Sequence, residues 1–285
     1  LKGVKKYWFR HRLISVLRDI DVKGIRALSV ILPKWILPNP HKTEPYVLQT
    51  IHGFALEIDP RSDLGVERSL HETGTYEKGV ITFLTTILKK GDCFVDVGAN
   101  IGLLSIHASK CVGPEGNVFA IEPNPKTLPI LYRNIESNKV KNIKIFEVAL
   151  GEKSHITQIF ENRDINRGGS SLIVNVSNEK GIPVQVEPLD DFLNLIDPMV
   201  IKIDVEGYEF EVLKGAVKTI SRAKPILIIE TALDKNKTME WIEFINSIYP
   251  YKIFKFKKGK ERKSNLVELT DLSDLPIHDN LIFLP

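Results

Sequence analysis

A chain of 285 residues with 43% apolar content is long enough for one large domain with additions, or for a domain and a small companion. Its net charge of +3 is too slight to argue for a nucleic-acid partner. With Cys93 and Cys111 as the only cysteines, neither a disulfide framework nor a zinc cluster is written here, and the usage suits a reducing cytoplasm.

The first forty residues read as helical, with punctuation at Gly24 and Pro33, and Pro38-Asn39-Pro40 reads as a linker. Lys2, Lys5, Lys6, Arg10, Arg12 and Arg18 interleave with Tyr7, Trp8, Phe9, Leu13, Ile14 and Leu17. That is too polar at its centre for a signal peptide. The apolar run 28–37 is too short to span a membrane and is interrupted by Pro33 and Lys34. A basic amphipathic helix suits an anionic membrane surface, but packing on the domain, with the charges in water, is the preferred expectation. Residues 46–49 and 54–58 alternate around His52-Gly53 and predict a small hairpin. Val80, Phe83, Leu84, Ile87 and Leu88 recur at helical spacing and stop at Lys89-Lys90-Gly91.

Strands are then expected near 93–97, 118–122, 143–148, 199–204 and 225–231, and helices near 102–110, 126–137, 207–220 and 238–248. This alternation implies a mainly parallel sheet with right-handed crossovers. Residues 151–197 are too many for a simple crossover. Their short alternating segments, at 156–160, 171–176 and 184–186, predict an inserted hairpin or β-meander above the carboxyl ends of the strands, where it would cover a substrate. Late strands at 251–256 and 281–284 are separated by a lysine-rich loop, 257–263, expected to be solvated. The expected division is a helical extension at 1–45 and one domain at 46–285, with 151–198 inserted.

The most informative stretch is Phe94-Val95-Asp96-Val97-Gly98-Ala99-Asn100-Ile101-Gly102. An apolar strand stops at a carboxylate, a small-residue loop follows, and helical spacing resumes at Leu103. Glycines there let backbone N–H groups approach a ligand closely. Glu122 ends the next apolar run, where an acid is suited to a ribose diol. The loop is Gly-x-Asn-x-Gly, so the dinucleotide fingerprint is only partly met, and no P-loop lysine follows. A pyrophosphate wants bare N–H groups and no nearby anion, whereas Asp96 suits a cationic ammonium. S-adenosylmethionine is therefore favoured over NAD.

At this point the chain resembles the FkbM-type family of S-adenosylmethionine-dependent methyltransferases. The likeness rests on residues 94–102, on Ala120-Ile121-Glu122-Pro123-Asn124-Pro125, and above all on Ile201-Lys202-Ile203-Asp204-Val205-Glu206-Gly207-Tyr208-Glu209 with Val212-Leu213-Lys214-Gly215-Ala216 behind it. Weaker echoes are Gly74-Thr75-Tyr76-Glu77, Ala149-Leu150-Gly151 and Pro188-Leu189-Asp190-Asp191. The resemblance implies a Rossmann-like class I methyltransferase fold: a mainly parallel seven-stranded sheet with helices on both faces. It also implies O-methylation of a hydroxyl on a glycan, glycolipid or small natural product. A nucleotide-dependent oxidoreductase on the same fold, disfavoured by Asp96 and Asn100, and a non-catalytic cofactor-binding protein are the rivals.

Asp96, Gly98, Asn100, Gly102 and Glu122 are the expected cofactor residues, with Tyr76 and Glu77 at the methionine end and Glu147 and Ala149 at the adenine edge. Lys202, Asp204 and Glu206 fall at period two and are expected on one face. A lysine in a buried strand needs an acidic partner, and Asp204 and Asp96 are available. Asp204 is the first candidate for the base that assists an alcohol acceptor, and Glu206 the second. Two carboxylates on one face could hold Mg²⁺, but no further ligand cluster supports one, so no metal is expected. His71 and His155 are read as solvated loop residues.

Overall fold

The computed structural model describes residues 7–162, 166–171, 181–193 and 196–285. Two helices open it, α1 (Trp8–Asp19) and α2 (Lys23–Ile36). Lys2, Lys5 and Lys6 lie outside the described residues. An antiparallel hairpin follows, β1 (Tyr46–Gln49) and β2 (Ala55–Ile58), with Tyr46 opposite Ile58. Then come α3 (Val66–Thr73) and α4 (Lys78–Ile87). The alternating core runs β3 (Cys93–Val97), α5 (Leu103–Val112), β4 (Asn117–Ile121), α6 (Leu128–Ser137) and β5 (Ile143–Phe146).

The expected insertion is a second sheet. It contains β6 (Ala149–Leu150), β7 (His155–Asn162), β8 (Asn166–Ser171) and β9 (Ile182–Glu187), in the order β6-β9-β7-β8. Most of the segment read as a strand at 171–176 lies outside the described residues. The chain returns through α7 (Leu189–Phe192) to β10 (Val200–Ile203), α8 (Glu209–Lys214), α9 (Val217–Ala223) and β11 (Ile226–Glu230). It finishes with α10 (Lys235–Ile248), β12 (Lys252–Phe256), β13 (Leu266–Glu268) and β14 (Asn280–Leu284).

The main sheet has eight strands in the order β13-β12-β14-β11-β10-β3-β4-β5. β11, β10, β3, β4 and β5 are parallel, and the three tail strands are antiparallel. Seven strands were expected. The eighth, β13, is a three-residue edge strand with exposed Val267 and Glu268, too short and too polar to signal itself. Strand residues alternate between two apolar layers. Val95, Val97, Ile201 and Ile203 join Val212, Ile220 and Trp241 on one face. Phe94, Val118, Val200 and Ile228 join Leu84, Leu104 and Ile106 on the other. Burial on both faces is why these strands read as continuous apolar runs.

Two local departures from the expected elements have clear causes. The helix expected at 207–220 is broken into α8 and α9 at Gly215-Ala216. A Cβ on Gly215 would lie 2.0 Å from the Gly151 carbonyl oxygen, so the small sheet presses directly on the break. Asp190 restarts the helix by accepting from the backbone N–H of Lys218 at 2.9 Å and Thr219 at 2.8 Å. The free edge of β2 is likewise satisfied by side chains. Asn134 accepts from Glu57 N, and Asn138 both accepts from and donates to Ala55.

The lysine-rich loop is not the solvated segment expected. Lys260 is buried, Lys258 pairs with Asp21 at 2.7 Å, and Arg262 pairs with the same carboxylate at 2.6 Å. His71 is buried too, held by Tyr46 Oη at 3.0 Å and the Pro38 carbonyl at 2.9 Å. His155 is exposed, as expected.

Candidate active site

The cavity opens where the carboxyl ends of β3, β4 and β10 meet. Gly98 turns the chain out of β3 at φ +86°. A Cβ there would stand 1.9 Å from the Asp204 carbonyl oxygen, so the glycine is needed for close approach of two backbones. Gly98→Ala is expected to cost about 3 kcal/mol from backbone strain and overlap. A thermal melt matching the parent would show that the loop can move aside.

The loop amides are engaged within the protein. Gly98 N–H and Ala99 N–H both donate to the Ile121 carbonyl at 3.0 Å, Asn100 N–H to Glu122 Oε2 at 2.9 Å, and Gly102 N–H to the Ala99 carbonyl at 2.9 Å. The expectation that the glycines free N–H groups for a ligand is corrected accordingly. These amides make no phosphate cradle. Gly102, at φ +90°, begins α5 and packs against Leu131, off the cavity wall.

Glu122 is buried and also accepts from Asn124 N–H at 2.9 Å, so each of its oxygens is fixed by one amide and keeps acceptor capacity. Burial pushes its carboxyl up to about 7 against those two bonds. Asp96 is buried on the cavity floor, accepts from Ser105 Oγ at 2.5 Å, and is pushed by burial up to about 6. Tyr76, Glu77, Asn100 and Ala149 line the same cavity, with Ile101, Ile121, Val148 and Leu150 as apolar wall. Glu147 does not. It is exposed beside β5 and accepts from Tyr132 Oη at 2.7 Å, because the strand ends at Phe146 and turns that side chain outward.

β10 ends at Ile203, so strand alternation stops before Asp204 and Glu206. A turn carries them instead, with Glu206 at φ +53° and Gly207 at φ +97°. A non-glycine residue held in the left-handed region stores strain, of the kind that clusters at active sites. Glu206 does not begin the helix. That role falls to Glu209, which accepts from Gly207 N–H at 2.9 Å.

Lys202 is buried with its ammonium 2.9 Å from Asp204 and 3.8 Å from Glu77. Burial works against its charge, but Asp204 and Glu77 outweigh it and hold Lys202 above the usual lysine range. Burial likewise opposes ionisation of Asp204, and Lys202 and Lys260 outweigh it, keeping the carboxylate below its usual range. Glu230, missed by the sequence reading, ends β11 beside Asp204 and is paired to Lys260. Burial and the Asp204 charge raise its carboxyl, and the Lys260 ammonium works against both. Lys260, missed as well, lies 3.2 Å from Glu77. Asp204, Glu206 and Glu230 bring oxygens within 4.8 Å of one another, a spacing open to a cation. Such an ion would compete with Lys202 and Lys260, which already neutralise two of the three.

Six acids (Glu77, Asp96, Glu122, Asp204, Glu206 and Glu230) and one lysine line the cavity among the described residues. That field and the engaged amides oppose a pyrophosphate. They suit a ligand that is neutral or cationic rather than a phosphate.

The model of the methyltransferase FkbM domain matches residues 96–253, more than half of the chain. The chain belongs to the FkbM methyltransferase family. Its fold is that of a class I methyltransferase and its cofactor is S-adenosylmethionine. It is 29% identical over 201 residues to the hexuronic acid methyltransferase AglP of Haloferax volcanii, covering 69% of this chain and 79% of that protein. It is 27% identical to Methyltransferase 1 of Beauveria bassiana, covering 42% of this chain and 57% of that one. Among solved structures it is similar to an FkbM methyltransferase of Methylobacillus flagellatus, with a TM-score of 0.46 and 21% identity, over 75% of this chain and 52% of that one. The chain thus spans little more than half the length of the last two.

Proposed function

We propose that this FkbM-family methyltransferase O-methylates a sugar hydroxyl, on a glycan that carries a hexuronic acid. The observation that carries this reading is the turn at 204–206, which sets two carboxyl groups on the cavity that also holds the Glu122 loop. The substrate class is supported by the similarity to a protein named for hexuronic acid methylation. Glu122, Asp96, Asn100 and the wall from Val148 to Leu150 would hold S-adenosylmethionine, which supplies an electrophilic methyl group. Glu122→Ala is expected to weaken binding of the cofactor or its demethylated product by about 1–3 kcal/mol, since it leaves the ribose hydroxyls in a buried site without their acceptor. Titration calorimetry with unchanged affinity would remove Glu122 from the site.

Glu206 accepts the proton of the acceptor hydroxyl. Glu206 is exposed at the cavity mouth, where partial desolvation by the surrounding protein and the adjacent Asp204 charge push its carboxyl up to about 7, near the value that suits a base at neutral pH. Asp204, tied down by Lys202, is the weaker base and orients the acceptor oxygen by accepting a hydrogen bond. The sequence-based order of these two candidates is therefore reversed in this proposal.

The test is methyl transfer to a panel of hexuronic-acid and neutral glycosides, followed by mild alkali. An alkali-stable methyl ether on a uronic-acid acceptor is the expected product. An alkali-labile ester would place the methyl on the carboxylate instead. Transfer to neutral sugars alone would overturn the substrate class.

A further inference from the structure

The N-terminal helices divide their surface in a way that packing on the domain does not use up. On α1, His11, Ile14 and Ser15 face inward, and His11 Nε2 lies 2.8 Å from the His71 carbonyl. The opposite stripe carries Phe9, Leu13 and Val16, all exposed, with Phe9 at 76%. Steps of four and three residues put them on one helix face. On α2, Ser29 and Pro33 are buried, while Leu28, Ile31 and Trp35 are exposed, Trp35 at 83%. Single exposed apolar residues are ordinary. Two ordered stripes on helices that pack together are not.

The charges near these stripes are sorted by sign. Arg12 and Lys34 are exposed, and Arg12 lies over the Trp8 ring at 5.1 Å. The acids of this region are matched by the body of the protein. Asp19 meets Lys78 at 2.5 Å, and Asp21 meets both Lys258 and Arg262. What is left outward is apolar and cationic. Among the described residues, no helix is long and apolar enough to cross a membrane.

We propose that α1 and α2 dock on an anionic membrane surface. Phe9, Leu13, Leu28, Ile31 and Trp35 enter the headgroup boundary, and Arg12 and Lys34 meet lipid phosphates. Interfacial helices of this kind bind through buried apolar area plus attraction to anionic lipid. The preferred sequence reading, a helix packed on the domain with charges in water, accounts for the inward faces only.

The test is flotation of the whole chain with phosphatidylcholine–phosphatidylglycerol vesicles and with pure phosphatidylcholine vesicles. The parent is expected to float with the anionic vesicles, less so as salt rises. Phe9→Ser/Trp35→Ser is expected to lower partitioning about tenfold or more, because two large apolar side chains no longer enter the boundary. Arg12→Glu/Lys34→Glu is expected to abolish the preference for anionic lipid. All these positions are exposed and off the cavity, so binding of S-adenosylhomocysteine should be unchanged and certifies the fold. A parent that stays unbound on anionic vesicles overturns the proposal. So do variants that float like the parent. A concentration-dependent dimer that Phe9→Ser/Trp35→Ser dissociates, with no flotation, would assign the face to a second copy instead.

Discussion

Glu206→Gln is expected to lose about 10²–10⁴-fold in turnover while binding cofactor nearly as the parent does, the span associated with removing a positioned base. The substitution keeps the shape of the side chain and its place on the strained turn, and removes only the proton acceptor. The pH profile separates this from a structural effect. A base must be unprotonated to act, and the Glu206 carboxyl sits at about 7. The parent's kcat/KM should therefore rise as pH climbs through about 7 and then level off. The residual activity of Glu206→Gln should lack that limb. Asp204→Asn should keep the limb but move it to lower pH, because the Asp204 charge that raises the Glu206 carboxyl is gone. If Asp204→Asn is dead and flat while Glu206→Gln turns over normally, Asp204 is the base after all.

Lys202→Met is expected to destabilise the fold by about 3–5 kcal/mol, the usual result of removing one partner from a buried ion pair. For a chain of this size that lowers the melting temperature by about 10 °C. The side chain is buried beneath the sheet's carboxyl edge, and its loss leaves Asp204 without its nearest cation. The double variant Lys202→Met/Asp204→Asn should recover part of the loss, since the uncompensated charge is gone, and a double-mutant cycle reads the coupling. The pH dependence follows from the directions of the two shifts. Asp204 is lowered on folding, so its contribution is present at neutral pH and is lost as pH falls below 3.8. Lys202 is raised, so its contribution is present at neutral pH and is lost only as pH rises past the ordinary lysine range. A loss under about 1 kcal/mol for the single variant would mean that water reaches the pair.

Much of this architecture was legible because three of the parallel strands are largely apolar runs with an acid at or near the carboxyl end: Asp96, Glu122, Asp204. The same signal was present at Glu230, where Ile226–Glu230 ends as the others do, and it was not used. Register places Ile229 beside Ile203, so the next residue on each strand had to be a neighbouring carboxyl. Lys260 had no such signal. It comes from a loop joining antiparallel tail strands, and its partners Glu77 and Glu230 are distant in sequence. A run of lysines looks solvated unless the acids it will meet are known. Glu147 failed for a different reason: the strand ends two residues earlier than expected, at Phe146, so strand alternation no longer decides where the Glu147 side chain lies.

The seat of Lys260 also bears on how the protein is made. The ammonium that ties Glu77 to Glu230 is delivered by the C-terminal strands, past the end of the segment that matches the family domain. β3, β4 and β10 precede it in the chain, so before it is made Glu77 and Asp204 share Lys202 while Glu230 lacks its lysine. A nascent chain therefore holds the donor loop but not a settled acidic floor. Removing the segment that carries Lys260 is therefore expected to lower the melting temperature through this acidic floor, which a thermal melt of Lys260→Met would read without truncation.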